Sequence, residues 1–153
     1  MAITNRKSVY PFAECVEVTL EGTTSIDLMD IPAGAIIEKV LVRIKTAGGT
    51  GNVTVGDDDD ADGFIVAADQ AATAGTVYGD GGAELGAYLV EGHTHTENTA
   101  ASYTQNATTV SANTAASPVK LYASAGKEIK IVGSAATASA ALQVIVIGKR
   151  YHV

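Results

Sequence analysis

The chain is expected to fold as a single all-β domain, a sandwich or barrel. Three features point there: period-two alternation along most apolar runs, turn chemistry at roughly 8–12-residue spacing, and no convincing amphipathic helix. A length of 153 residues suits one core rather than two.

The first clear strand covers residues 14–20, where Val16, Val18 and Leu20 alternate with Glu17 and Thr19. In the second, 24–28, Ile26 and Leu28 share a face. The third, 36–44, sets Val40, Val42 and Ile44 opposite Lys39, Leu41 and Arg43. Further strands are expected at 52–55, 64–67, 83–90, 107–112, 119–123 and 128–132. The last, 140–151, has Leu142, Val144 and Val146 on one side and Ile145 and Ile147 on the other. Apolar on both faces, it reads as a central strand covered from both sides. Turn residues separate these runs at Glu21-Gly22-Thr23, Ile31-Pro32-Ala33-Gly34, Gly48-Gly49-Thr50-Gly51, Gly79-Asp80-Gly81-Gly82 and Ala125-Gly126-Lys127. Residues 67–72 are Ala-rich enough for one short helix, and the Thr/Asn/Ala/Ser-rich stretch 91–117 reads as an extended excursion or flat edge structure.

Composition narrows the function. Charged residues make up 18% and aromatics 5%, with no tryptophan, so platforms for stacking bases or sugars are scarce. The net charge of −7 conceals an asymmetry. Residues 46–119 hold ten acids and no Lys or Arg, a net of −10, whereas the two ends carry ten basic residues against seven acids, a net of +3. That pattern fits ordinary solubility, and it equally fits a polar molecule with an acidic face toward solvent and a less acidic face toward a partner. An acidic centre argues against nucleic-acid binding. No apolar run is long enough for a membrane-spanning helix, and no apolar segment follows the basic residues near the start as in a signal peptide. The single cysteine, Cys15, cannot form an internal disulfide, which suits synthesis in a reducing cytoplasm. In a strand between apolar and acidic neighbours, it is expected to be packed and inert.

Two constellations have metal-ligand spacing. Asp58, Asp60 and Asp62, followed by Gly63 and Asp69, match positions 1, 3, 5, 6 and 12 of a calcium loop. The twelfth position lacks the longer Glu, and the flanks look like strands. The competing reading is a solvated hairpin tip whose aspartates cap their own turn amides; we expect no cofactor. His93 and His95, two apart, share a strand face suited to Zn²⁺ or Fe²⁺, or form a surface pair. No nucleophile elbow, phosphate loop or dinucleotide motif is present, and catalysis is not expected. Residues 1–12 form an extended N-terminal arm ahead of a domain over 13–153. Its Arg6, Lys7, Tyr10 and Phe12 suit docking against an acidic surface, the alternative being a frayed terminus.

The run Ser25-Ile26-Asp27-Leu28-Met29-Asp30-Ile31-Pro32-Ala33-Gly34-Ala35-Ile36-Ile37, then Val40-Leu41-Val42, resembles small virion proteins of tailed bacteriophages. In that group a Pro-Ala-Gly-Ala turn feeds a long core strand. A second shared segment reads Val53-Thr54-Val55-Gly56-Asp57-Asp58-Asp59-Asp60-Ala61-Asp62-Gly63-Phe64. The resemblance implies a jelly-roll-like antiparallel β-sandwich and a role as a capsid decoration, or cement, protein. It further implies homotrimers on the outer surface of the virion, seated on the major capsid protein at local threefold axes. The alternative is a receptor- or carbohydrate-binding module of a head or tail fibre, with Tyr78, Tyr88 and Tyr103 as contact aromatics.

Overall fold

A computed structural model describes residues 8–22, 24–80, 84–89, 119–122, 125–134 and 139–151. Its described strands are β1 (Val9–Leu20), β2 (Ser25–Ile31), β3 (Ala35–Thr46), β4 (Asn52–Gly56), β5 (Ile65–Asp69), β6 (Val77–Tyr78), β7 (Lys120–Tyr122), β8 (Lys127–Gly133) and β9 (Ala140–Tyr151). They form two antiparallel sheets. One has the order β1-β9-β3-β6, with β7 also paired to β3, and the other has the order β2-β8-β4-β5. First strand pairs with last, second with second-last, third with β7, and β4 with β5. This nesting folds one antiparallel ribbon into two facing layers, the all-β sandwich expected.

Alternation and register together build the core. Val16, Val144 and Val42 line up across the first sheet, as do Val18, Leu142 and Ile44. These inward faces meet Val53, Val55, Ile129 and Ile131 from the second sheet, all fully buried. Each such side chain contributes about 1.5–3 kcal/mol when removed from water.

The long strand β9 is central, as its sequence predicts, but it is not covered from both sides. Leu142, Val144 and Val146 are fully buried, whereas Gln143, Ile145 and Ile147 are only half-buried on the outer face. Cys15 pairs with Ile145 on that outer face and is exposed, not packed. Strand parity decides this: even-numbered residues of β1 point inward, so an odd one faces out.

Other expectations shift. β1 begins at Val9, so the last four residues assigned to the arm belong to the sandwich and pair with β9. Residues 67–72 form no helix; β5 runs through Asp69 and a turn follows. Residues 84–89 carry one isolated bridge, Leu85 to Ile65, and then turn. The amide of Tyr88 reaches the Gly63 carbonyl and that of Leu89 the Gly86 carbonyl, bonds that replace a ladder and carry Tyr88 inward. β6, only two residues long, leaves no periodic signal to read. The strand expected at 107–112 and the excursion at 91–117 lie outside the described residues, as do His93, His95 and Tyr103.

Candidate docking surface

β1 is an edge of one sheet and β2 an edge of the other, joined by a short turn. The two edges therefore lie on the same side of the sandwich, and among the described residues no strand lies outside either. Between them opens a groove of about 550 Å³. Tyr10, Phe12 and Glu14 line it from β1, Met29, Asp30 and Ile31 from β2, and Arg150 from β9. Tyr10 is 56% exposed and its neighbour Val9 43%. Phe12 stands opposite Gly148 of β9, and a Cβ built there would come within 2.9 Å of its ring. The missing side chain leaves room for the aromatic ring close over the strand.

The core is unfinished on this side. Phe12, Val16 and Val18 of β1 and Ile26 and Met29 of β2 face inward yet stay only partly buried. At the middle of the same layer Val40, Val42, Val144 and Val146 are fully buried. Glu14 and Asp30 carry no ion pair among the described residues, whereas Glu17 holds Lys45 at 2.9 Å. Of the arm residues singled out by sequence, Tyr10 and Phe12 line the groove; Arg6 and Lys7 lie outside the described residues.

The acidic loop after β4 caps its own turn amides, as the hairpin-tip reading expects, but the carboxylate that does most of this is buried rather than solvated. Asp57 is 3% exposed. Its Oδ1 accepts the amides of Asp59 (2.9 Å) and Asp60 (3.0 Å) and the Tyr88 hydroxyl (2.8 Å), while its Oδ2 accepts the Tyr122 hydroxyl at 2.5 Å. The Lys120 ammonium, fully buried, lies 4.0 Å from the Tyr88 ring centroid and 5.5 Å from that of Tyr122. Burial lowers the Lys120 pKa, and the charge of Asp57 acts against that shift. Lys127 holds Asp59 at 2.7 Å and Lys130 holds Asp58 at 2.5 Å.

The acids of the middle and the lysines of the ends thus meet inside one molecule, as do Asp80 and Lys39. The charge asymmetry along the chain is in part the imprint of the winding. Lys120 is buried, and Lys127 and Lys130 are held by the acidic loop.

The calcium pattern is not assembled. Asp58, Asp60 and Asp62 share the loop, but Asp69 pairs with Asn52 at the opposite end of the β4–β5 hairpin and caps the Ala71 amide at 2.9 Å. Four to five residues of strand, roughly 13–17 Å, separate it from the other three. Gly63 serves a different need: a Cβ there would sit 2.3 Å from the Tyr88 ring. Asp60, half-buried, has its pKa pushed up to about 6, first by burial and then by its hydrogen bond and charge contact with Asp62. Tyr88, named among the contact aromatics of a carbohydrate site, is fully buried against Phe64, with ring centroids 5.0 Å apart at 71°. Only tertiary contact reveals the Asp57–Tyr88–Tyr122–Lys120 cluster; its one trace in the sequence is an acid run richer than a turn requires.

No protein-family model and no curated protein matches the chain. Solved structures do. A chain described as the cyanophage Pam1 capsid asymmetric unit superposes with a TM-score of 0.53 at 13% identity, covering 98% of this chain and 92% of that one. A chain from the acidic stable capsid structure of Helicobacter pylori bacteriophage KHP30 aligns over 95% of this chain and 93% of that one, at 13% identity and a TM-score of 0.45. At such identity the first likeness is one of fold.

Proposed function

We propose that the chain is a structural protein of a tailed-phage virion that decorates the outer surface of the major capsid protein shell and stabilises it, as trimers at local threefold axes. One observation carries the reading: the fold is shared, over nearly the full length of both chains, with a chain from a cyanophage capsid asymmetric unit. The two segments that resemble phage virion proteins support it from within. Pro32-Ala33-Gly34 forms the turn that launches β3, held by Gly34 N–H to the Tyr122 carbonyl at 2.8 Å. The acid-rich segment after β4 is the loop anchored by Asp57. A cement protein acts by binding only the assembled shell and shifting its stability by mass action. The groove between β1 and β2, with its exposed Tyr10, is the surface best suited to that contact. A carbohydrate-binding role would need free aromatics, and Tyr88 is spent in the core.

Quantitative mass spectrometry of purified virions tests this, paired with thermal rupture of shells with and without the protein. The expected result is a fixed ratio to the major capsid protein and a lower rupture temperature for bare shells. A few copies per particle, or equal robustness of bare and decorated shells, would move the chain to a fibre or collar.

A further inference from the structure

We propose that the open side between β1 and β2 accepts an extended strand from another protein, one whose apolar residues alternate and which carries a basic residue. This deepens the decoration reading, and rests on it only for where such a strand is met.

The backbone argument comes first. All twelve residues of β1 are in register with β9 on one side, and among the described residues nothing pairs with the other. Such an edge presents a row of amide and carbonyl groups ready for a further strand. Pro11 sits within β1, a placement tolerated at sheet edges because proline has no amide to donate. The packing argument is independent. Phe12, Val16 and Val18 on β1 remain partly buried while their sheet-mates on β3 and β9 are fully buried, and Ile26 and Met29 on β2 remain partly buried while Ile129 and Ile131 on β8 are fully buried. A strand laid along β1 with alternate apolar side chains turned inward would close that layer.

Charge selects the occupant. β1 and β2 hold four acids and not one Lys or Arg; Lys45 already holds Glu17 and Lys130 lies 3.7 Å from Asp27, which leaves Glu14 and Asp30 to select a partner. The same edges of a second copy would set acids against acids and supply no cation. A strand from a different chain that brings a basic residue to Glu14 and Asp30 gains where a copy of this chain loses. Register follows from the ladder. Arg150 faces Tyr10, Gly148 faces Phe12 and Val146 faces Glu14, so the cation belongs about four residues in from Arg150, with apolar residues over Tyr10 and Phe12.

The test uses the full chain and a fluorescein-labelled ten-residue probe with blocked ends, alternating valine and threonine around a central lysine, read by fluorescence anisotropy. The expected result is saturable binding that weakens about tenfold with Glu14→Lys and is recovered when the probe's lysine is exchanged for glutamate. Glu14 is exposed, so that variant keeps its fold, which circular dichroism checks. Absence of saturable binding, or binding indifferent to Glu14→Lys, would overturn the proposal. So would dimerisation of the unmixed protein that needs β1, since the occupant would then be a second copy. No capsid enters this assay: probe failure with intact shell attachment removes the strand-acceptor site and leaves decoration standing, and the converse result does the reverse.

Discussion

Replacing Asp57 by alanine should bring the protein close to unfolding. The carboxylate accepts two loop amides and two tyrosine hydroxyls. The loop amides belong to partly exposed residues and regain water when the carboxylate is removed. The hydroxyls of Tyr88 and Tyr122 do not, because both residues are fully buried. Each buried hydroxyl deprived of its bond to this carboxylate costs about 1–3 kcal/mol, and the buried Lys120 loses the carboxylate that most favours its charge, so a loss of about 3–6 kcal/mol follows. Total stabilities are commonly about 5–15 kcal/mol, so this is a large share. Asp57→Asn keeps an acceptor of the same shape and should cost less, about 1–3 kcal/mol. Urea unfolding followed by tyrosine fluorescence measures both, since the chain has no tryptophan to mask it. A cost for Asp57→Ala below about 1 kcal/mol would refute the reasoning. Strict additivity of Asp57→Ala with Tyr88→Phe or Tyr122→Phe would refute it equally, because groups sharing one hydrogen bond must couple.

Further outcomes are expected. Asp60→Asn with Asp62→Asn should raise the melting temperature at pH 7, and chelator should leave wild type and variant unchanged; matched drops on chelation and mutation would make the loop a metal site. The Asp60 carboxyl titrates near 6 in the fold against 3.8 for a free side chain, so the folded state binds the proton more tightly. Its favourable contribution is complete below 3.8 and fades as pH rises through 6, and Asp60→Asn should flatten that decline in melting temperature. Removing residues 1–7 should leave the melting temperature unchanged, whereas removal through Phe12 strips four β1 pairs and the groove floor and should lower it by several degrees and weaken shell attachment, as calorimetry and co-sedimentation report. Light scattering of the isolated protein at micromolar concentration should give a trimer; a stable monomer would confine trimers to the shell.

Much of the architecture was legible in the chain because it rests on local physics. Alternating Val, Leu and Ile in β3 and β9 can bury only one face as a strand, and Gly- and Pro-containing turns mark where each strand stops. The twelve residues of β9 were recognised over their whole length, since a sustained apolar run tolerates only a central place. Where local signals were weak or rivalled, reading failed. A two-residue β6 has no period, and residues 84–89 alternate well enough for a strand but are turned by the pull of Tyr88 toward Asp57 and Phe64.

The sites were the least legible, for the same reason. Spacing alone aligned Asp58, Asp60, Asp62 and Asp69 as one ligand set, because spacing does not know that a strand would carry Asp69 to the far end of a hairpin. Tyr10 and Phe12 stand out in the sequence only as aromatics near the start, and their groove exists only because β1 and β2 end up as neighbouring edges of two different sheets. So the sequence by itself determined the class of fold, the place of its longer strands and the excess of acid at its centre. Tertiary structure alone decided which acids meet which lysines, that Asp57 is buried under two tyrosines, and which side of the core stays open. Those outcomes depend on contacts between residues thirty to seventy positions apart, such as Asp57 with Tyr88 and Tyr122 or Asp59 with Lys127, and no local pattern encodes the partner at that separation.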